Sequence, residues 1–202
     1  MDLVVDNLGV ARGGVAVLEH VGFRLAPGQV LILRGANGVG KTTLLRTVAG
    51  LQPPLAGTVS GAEDLAYGAH ADGLKAMLTV SENLGFWASV YGGRVAGALQ
   101  AMNLTGLADR RAADLSAGQK RRLGLARMMV TGRKVWLLDE PTVSLDAASV
   151  QLFGTMLRGH LGQGGSAVIA THVELGIEAA VLDLTPFKAV QRSDGVFDEA
   201  FL

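Results

Sequence analysis

The residues Gly35-Ala36-Asn37-Gly38-Val39-Gly40-Lys41-Thr42-Thr43 follow the spacing G-x-x-x-x-G-K-[ST]. Glycines let a loop of this kind wrap a phosphate with its backbone N–H groups, because no Cβ obstructs close approach or positive φ. A helix starting near Lys41 adds the positive end of its dipole. Lys41 then reaches the β- and γ-phosphates as a point charge, and the Thr42 hydroxyl binds Mg²⁺. The chemistry implied is capture of a nucleoside triphosphate.

A second group ends the apolar run Val135-Trp136-Leu137-Leu138, where Asp139 and Glu140 place two carboxylates. Open α/β sheets bind ligands at such strand ends. Beside a phosphate loop, Asp139 is suited to hold Mg²⁺ through a water, and Glu140 to polarise an attacking water as general base. Since Pro141 follows, a plain strand-end turn is the alternative for an isolated Asp-Glu pair. In Leu115-Ser116-Ala117-Gly118-Gln119, Ser116 and Gln119 are spaced as a capping box, so a helix starts there with its N–H groups and dipole facing outward.

These groups need elements to hold them. Val30-Leu31-Ile32-Leu33, Val135-Trp136-Leu137-Leu138 and Ala167-Val168-Ile169-Ala170 read as strands buried on both faces, with Val181-Leu182-Asp183-Leu184 a weaker fourth. Helical patterns lie between them, which predicts an α/β fold with a mostly parallel sheet. Residues 1 to 29 show short alternating pieces, Leu3-Val4-Val5 and Val15-Ala16-Val17-Leu18, among glycines, and read as an antiparallel ribbon. Residues 68 to 130 lack strong strand runs and read as an inserted helical lobe. A single domain of 202 residues is therefore expected, with 1–67 and 131–202 forming the β subdomain and core. No fold signal extends past about residue 186.

Composition narrows the function classes. Lys plus Arg and Asp plus Glu are both 18, which argues against a nucleic-acid-binding surface. With no cysteine, disulfide and thiolate-metal chemistry are excluded. The N-terminus, MDLVVDNLGV, does not read as a signal peptide, and no stretch approaches the roughly 20 apolar residues of a membrane span. Hydrophobic residues nevertheless make up 49% of the chain, which fits a large buried sheet, a surface that meets another protein, or both.

Taken together the motifs resemble the nucleotide-binding subunit of ABC transporters over nearly the whole chain. GANGVGKTT corresponds to the Walker A loop, LSAGQ to the signature sequence, VWLLDE to the Walker B strand, EPTVSLD to the D-loop region and Ala170-Thr171-His172 to the switch histidine. The resemblance implies a P-loop NTPase core of RecA-like type and ATP as the nucleotide. It also implies a head-to-tail homodimer in which Ser116 and Gly118 of one copy contact the γ-phosphate held by Lys41 of the other. His172 would contact the γ-phosphate of its own site; packing as an ordinary strand-end histidine is the alternative.

The chain departs from that pattern twice. Most members carry an aromatic residue in the ribbon that stacks on adenine; by spacing to Gly28, Arg12 stands nearest that place here, and a guanidinium can stack on a base. His70 stands where the family usually has glutamine, ten residues before Val80, in the loop between core and lobe. Neutral imidazole is a poor Mg²⁺ ligand, so His70 is expected to act through a water or away from the metal. Imidazole titrates near neutral pH, so His70 is expected to affect coupling or its pH profile more than nucleotide affinity.

His70 together with Gly73-Leu74-Lys75, Leu78-Thr79-Val80, LSAGQKRRLGLARM and QGGSAVIATH resembles the ATPase subunits of bacterial haem exporters of cytochrome c maturation. That resemblance implies integral-membrane ABC partner subunits and a peripheral position on the cytoplasmic face of the inner membrane. The helix from Thr79, with a Thr79–Glu82 capping box and with Leu84, Trp87 and Tyr91 on one face, is the expected contact with those subunits. Packing of that face within the lobe is the alternative for Trp87.

Overall fold

The computed structural model describes residues 1–190; the expected core positions from 191 to 202 lie outside the described residues. Two β-sheets and five α-helices make up this region. Strands β1 (Leu3–Arg12), β2 (Val15–Leu25) and β4 (Ala56–Ser60) form an antiparallel sheet in the order β2-β1-β4. Strands β5 (Leu65–Gly68), β6 (Val135–Asp139), β7 (Ser166–Ala170), β3 (Val30–Arg34) and β8 (Ala180–Asp183) form a second sheet in that order, every neighbouring pair parallel.

The parallel sheet explains why its strands read as unbroken apolar runs. Along β6, Trp136 and Leu138 face one hydrophobic cluster while Val135 and Leu137 face the other. The same alternation divides Val30 and Ile32 from Leu31 and Leu33 on β3, and Ala167 and Ile169 from Val168 and Ala170 on β7. One cluster is closed by the helical lobe and by α5 (Ala147–Gly162); the other is closed by α1 (Lys41–Val48) and the antiparallel sheet. Burial on both faces leaves the strand ends as the places where polar groups are accessible.

The lobe contains α2 (Val80–Tyr91), α3 (Val95–Ala101) and α4 (Ala117–Thr131). Both expected capping boxes are formed, at Thr79 with Glu82 and at Ser116 with Gln119. Left-handed glycines, Gly92 and Gly132, end α2 and α4.

Two local expectations change. The ribbon strands run to 10 and 11 residues, longer than the short pieces read from the sequence. Strands β4 and β5 were not expected at all. Ala56-Gly57-Thr58-Val59-Ser60 is mostly exposed and β5 has four residues, so neither carries enough apolar pattern to announce itself. They exist because β1 and β6 offer paired edges. The lobe opens with the loop that carries His70, and its first helix starts at Val80 with Thr79 as N-cap, in line with the capping box read there.

At the end of α5, the His160 ring stacks on Trp136 with centroids 3.7 Å apart and planes at 8°. Its Nε2 lies 3.3 Å from the Ser166 carbonyl oxygen, to which an Nε2–H donates. Burial holds the His160 pKa below the ordinary imidazole value. The unfolded chain therefore binds this proton first as pH falls past about 6.5, so the stability contribution is complete above that pH and is lost below it. His160→Phe is expected to lessen the fall in Tm between about pH 7 and pH 5, a window that brackets the free imidazole pKa; an unchanged Tm–pH profile would remove His160 as its source.

Candidate nucleotide site

The phosphate loop leaves β3 with three glycines at positive φ: Gly35 at 136°, Gly38 at 81° and Gly40 at 121°. At Gly40 space also forbids a side chain, because a Cβ would sit 2.8 Å from Val17 Cγ1 and 3.0 Å from Leu18 on the ribbon. The ribbon thus presses the loop against the sheet. No side chain caps α1, so its first-turn N–H groups stay available to an anion. Lys41, only 8% exposed, folds back over the loop. Its ammonium donates to the carbonyls of Gly35 at 2.9 Å and Ala36 at 3.4 Å and to His172 Nε2 at 3.2 Å.

Thr42 Oγ1 donates to Asp139 Oδ2 at 2.8 Å, joining the start of α1 to the end of β6. Asp139 is 2% exposed. A hydroxyl and a buried carboxylate form an oxygen donor pair, which suits a hard cation such as Mg²⁺. Among the described residues there is no cluster of three or more His, Asp or Glu that could hold a metal by itself. The pair fits an ion that takes its other ligands from water and phosphate oxygens. Nearby, burial and the Asp139 charge push the Tyr67 hydroxyl up to about 12, so it stays neutral beside the carboxylate.

Glu140 has φ of 47°, unusual for a residue with a side chain. Its N–H donates to the Ala170 carbonyl at 2.8 Å, and its Oε1 lies 3.6 Å from His172 Nε2. Because Lys41 donates to that nitrogen, the Glu140 contact is one of proximity, not a second hydrogen bond. Lys41, Glu140 and His172 therefore converge from three different strand ends. The histidine is steadied by Thr171, which is fully buried: its hydroxyl meets Thr142 Oγ1 at 3.3 Å and accepts from the Val173 N–H at 3.1 Å. Arg34 donates to the Thr171 carbonyl. Thr142 and Thr171 lie within the D-loop and switch segments and Arg34 within no motif, and nothing in the sequence marks any of the three as a support of His172.

Arg12 reaches the loop, where its Nη2 donates to Thr43 Oγ1 at 3.3 Å. Arg12 itself is exposed. Asn37 is exposed and Val39 is buried within the same loop. By contrast, Ser116 and Gly118 are not brought to the loop of their own chain; among the described residues no hydrogen bond joins them to it. Ser116 is exposed, and its capping bonds are short: Gln119 N–H to Ser116 Oγ at 3.2 Å, and Ser116 N–H to Gln119 Oε1 at 2.9 Å. Gly118 lies against the 144 region, a Cβ there standing 2.9 Å from the Ser144 carbonyl.

The His70 side chain is exposed and makes no hydrogen bond among the described residues, while its carbonyl accepts from Arg121 at 3.2 Å. The α2 face expected to meet a partner is largely packed inside the lobe. Leu84 is buried, and Trp87 stacks on Tyr91 at 6.0 Å with the Arg127 guanidinium 5.0 Å from its ring. The packed alternative holds for Trp87. Tyr91 remains 39% exposed, and greater apolar exposure falls on Phe86 at 57% and Val90 at 58%, one helical turn apart, with Met77 at 70% just before the helix.

Comparison with known proteins places this geometry. Residues 18–143 match the family model described as ABC transporter. The chain is 67% identical over 192 residues to the cytochrome c biogenesis ATP-binding export protein CcmA of Cereibacter sphaeroides, covering 94% of this chain and 91% of that protein. It is 61% identical to the protein of the same name from Roseobacter denitrificans, with both chains covered completely. Its fold superimposes on an ABC transporter ATP-binding protein from Pyrococcus furiosus with a TM-score of 0.83, at 24% identity, covering 94% of this chain and all of that one.

The loop geometry leads to a first test. Gly40→Ala forces a side chain into positive φ and against Val17, costing about 1–3 kcal/mol of backbone strain, and it displaces the Lys41 N–H. Chemical denaturation and nucleotide titration are expected to show both lower stability and weakened triphosphate binding. Unchanged values in both would mean the ribbon does not fix the loop.

Proposed function

The chain belongs to the ABC transporter family and, within it, to the cytochrome c biogenesis ATP-binding export proteins; on that premise we propose that it works as a homodimer powering haem export for cytochrome c maturation. The chain is an ATPase subunit of the ABC type. The observation that carries the mechanism is the convergence of Lys41, Glu140 and His172 at the ends of β3, β6 and β7 beside the Thr42–Asp139 pair.

ATP enters with its phosphates in the glycine loop, and Lys41 exchanges its carbonyl contacts for phosphate oxygens. Thr42 and, through a water, Asp139 would hold Mg²⁺, which would supply charge neutralisation for the phosphates when bound. Glu140 accepts a proton from a water whose oxygen attacks the γ-phosphorus, while the bond to the β–γ bridging oxygen breaks. His172, released from Lys41, donates to the γ-phosphate. Arg12, already at the loop rim, stacks on the adenine. Ser116, exposed at the N-cap of α4, and the half-buried Gly118 complete the site of a second copy arranged head to tail. Closure then depends on an intact γ-phosphate, and hydrolysis reopens the dimer.

No helix of the described residues is long and apolar enough to cross a membrane. Attachment at the cytoplasmic face through integral-membrane subunits follows from the proposed role. The exposed pair Phe86 and Val90 on α2, with Met77, replaces the Trp87 face as the docking surface for those subunits. His70 lies in the loop between the nucleotide site and this surface, in place to transmit the state of one to the other.

In the complex purified from membranes, Lys41→Ala and Glu140→Gln are expected to lower ATP turnover by about 10²-fold or more. Only the first should abolish nucleotide binding. Phe86→Asp should lose the membrane subunits while still binding ATP, and His70→Gln should change transport-coupled turnover more than ATP affinity. Identification of the captured subunits by mass spectrometry tests the haem assignment; subunits of an exporter for another substrate would overturn it.

A further inference from the structure

Arg121 lies on α4, five residues after Ser116, and is 6% exposed. Its guanidinium makes contacts in three directions. Nε donates to the Pro141 carbonyl at 3.0 Å, and Nη2 donates to the carbonyls of Asp139 at 3.0 Å and Glu140 at 2.6 Å. Nη1 donates to the carbonyls of Ala69 at 3.0 Å and His70 at 3.2 Å and to Asp72 Oδ1 at 2.8 Å. All three nitrogens are used, and Asp72 is the one acidic side chain in the set. The next turn of α4 makes room for it: a Cβ at Gly124 would stand 2.9 Å from Asp72 Oδ1.

Three consecutive carbonyls, from 139 to 141, are thus held by one side chain. Between them lies Glu140, whose φ of 47° is unfavourable and must be fixed by its surroundings. Its N–H is held by Ala170 and its carbonyl by Arg121, so both peptide planes that orient the carboxylate are pinned. Lysine could not do this, because an ammonium offers donors from a single point while the guanidinium fork spans separated acceptors. The same fork also pins the exit of β5, where His70 begins the loop toward the lobe.

We propose that Arg121 is a positioning residue: it sets the general base Glu140 at the ATP site of its own chain and ties that setting to Ser116, about 7.5 Å away along the rigid helix. This rests on the head-to-tail dimer, in which Ser116 serves the other site. A shift of the 139–141 backbone on ATP binding moves the guanidinium, the guanidinium moves α4, and the signature presented to the second ATP moves with it. The two ATP sites are coupled through this one side chain.

The test uses the assembled complex with Arg121→Gln, Arg121→Lys and Asp72→Asn, measuring kcat, KM for ATP, the Hill coefficient, ATP affinity and Tm. Arg121→Gln and Arg121→Lys are expected to lower kcat about tenfold or more with KM within about twofold, and to bring the Hill coefficient toward 1. Asp72→Asn, which keeps an oxygen acceptor, should fall between them and the wild type. Rescue by Arg121→Lys to wild-type kcat and cooperativity overturns the proposal, because charge alone would then suffice. Parallel loss of kcat, ATP affinity and Tm in Arg121→Lys and Asp72→Asn also overturns it, as the mark of a purely structural role. If the wild-type complex itself shows no cooperativity and a single ATP site, the dimer reading fails; the kcat-against-KM split still decides the positioning of Glu140.

Discussion

Everything in the site depends on strands β3, β6 and β7 running parallel with both faces buried. Side chains that alternate between two apolar clusters cannot carry charge, so polar chemistry is confined to the strand ends. Parallel pairing puts those ends along one edge. The glycine loop follows β3, Asp139 ends β6 with Glu140 after it, and Thr171-His172 follow β7. Three sequence-distant motifs therefore meet without any of them contacting another in sequence. The Thr42–Asp139 hydrogen bond and the Lys41–His172 contact are the places where this edge closes.

The closed edge is also linked to the helical lobe. Burying a guanidinium is costly unless its donors are met, and a single carboxylate would leave most of them unpaired. Arg121 is tolerated in the interior because five backbone carbonyls join Asp72 in accepting from it. Those carbonyls belong to the end of β6 and the exit of β5, while the side chain belongs to the helix that opens at Ser116. The lobe is thereby fastened to the catalytic edge by hydrogen bonds, in addition to the apolar packing beneath it.

The lobe also separates two uses of aromatic residues on α2. Trp87 is part of the packing, with the Arg127 guanidinium over its ring, while Tyr91 is exposed and stacks on Trp87 with Arg133 over its own ring. Phe86, edge-on to Trp87 at 5.3 Å, points away from that packing and is exposed with Val90. Sequence periodicity drew the stripe through Leu84, Trp87 and Tyr91 correctly as one face. Periodicity alone does not say whether such a stripe faces the protein's interior or a partner, since both demand apolar residues. Packing against the lobe decides it for Leu84 and Trp87, while Tyr91 at the end of the stripe stays exposed.

The amino-acid sequence by itself determined the local chemistry: the phosphate loop, the paired carboxylates, the two capping boxes and the three doubly buried strands. These are legible because each depends on residues close together, on glycine conformations or on runs of apolar side chains. The tertiary structure decided what depends on distant partners. Strands β4 and β5 are too polar or too short to be read, and form on edges supplied by β1 and β6. In the sequence Arg121 is one of three consecutive cations, Lys120-Arg121-Arg122, and only folding places it among carbonyls from residues 69 to 141. Arg34, Thr142 and Thr171 became supports of His172 in the same way. Hydrogen bonds to backbone carbonyls leave no trace in residue identity, because every residue has one; which carbonyls meet which side chain is set by topology alone.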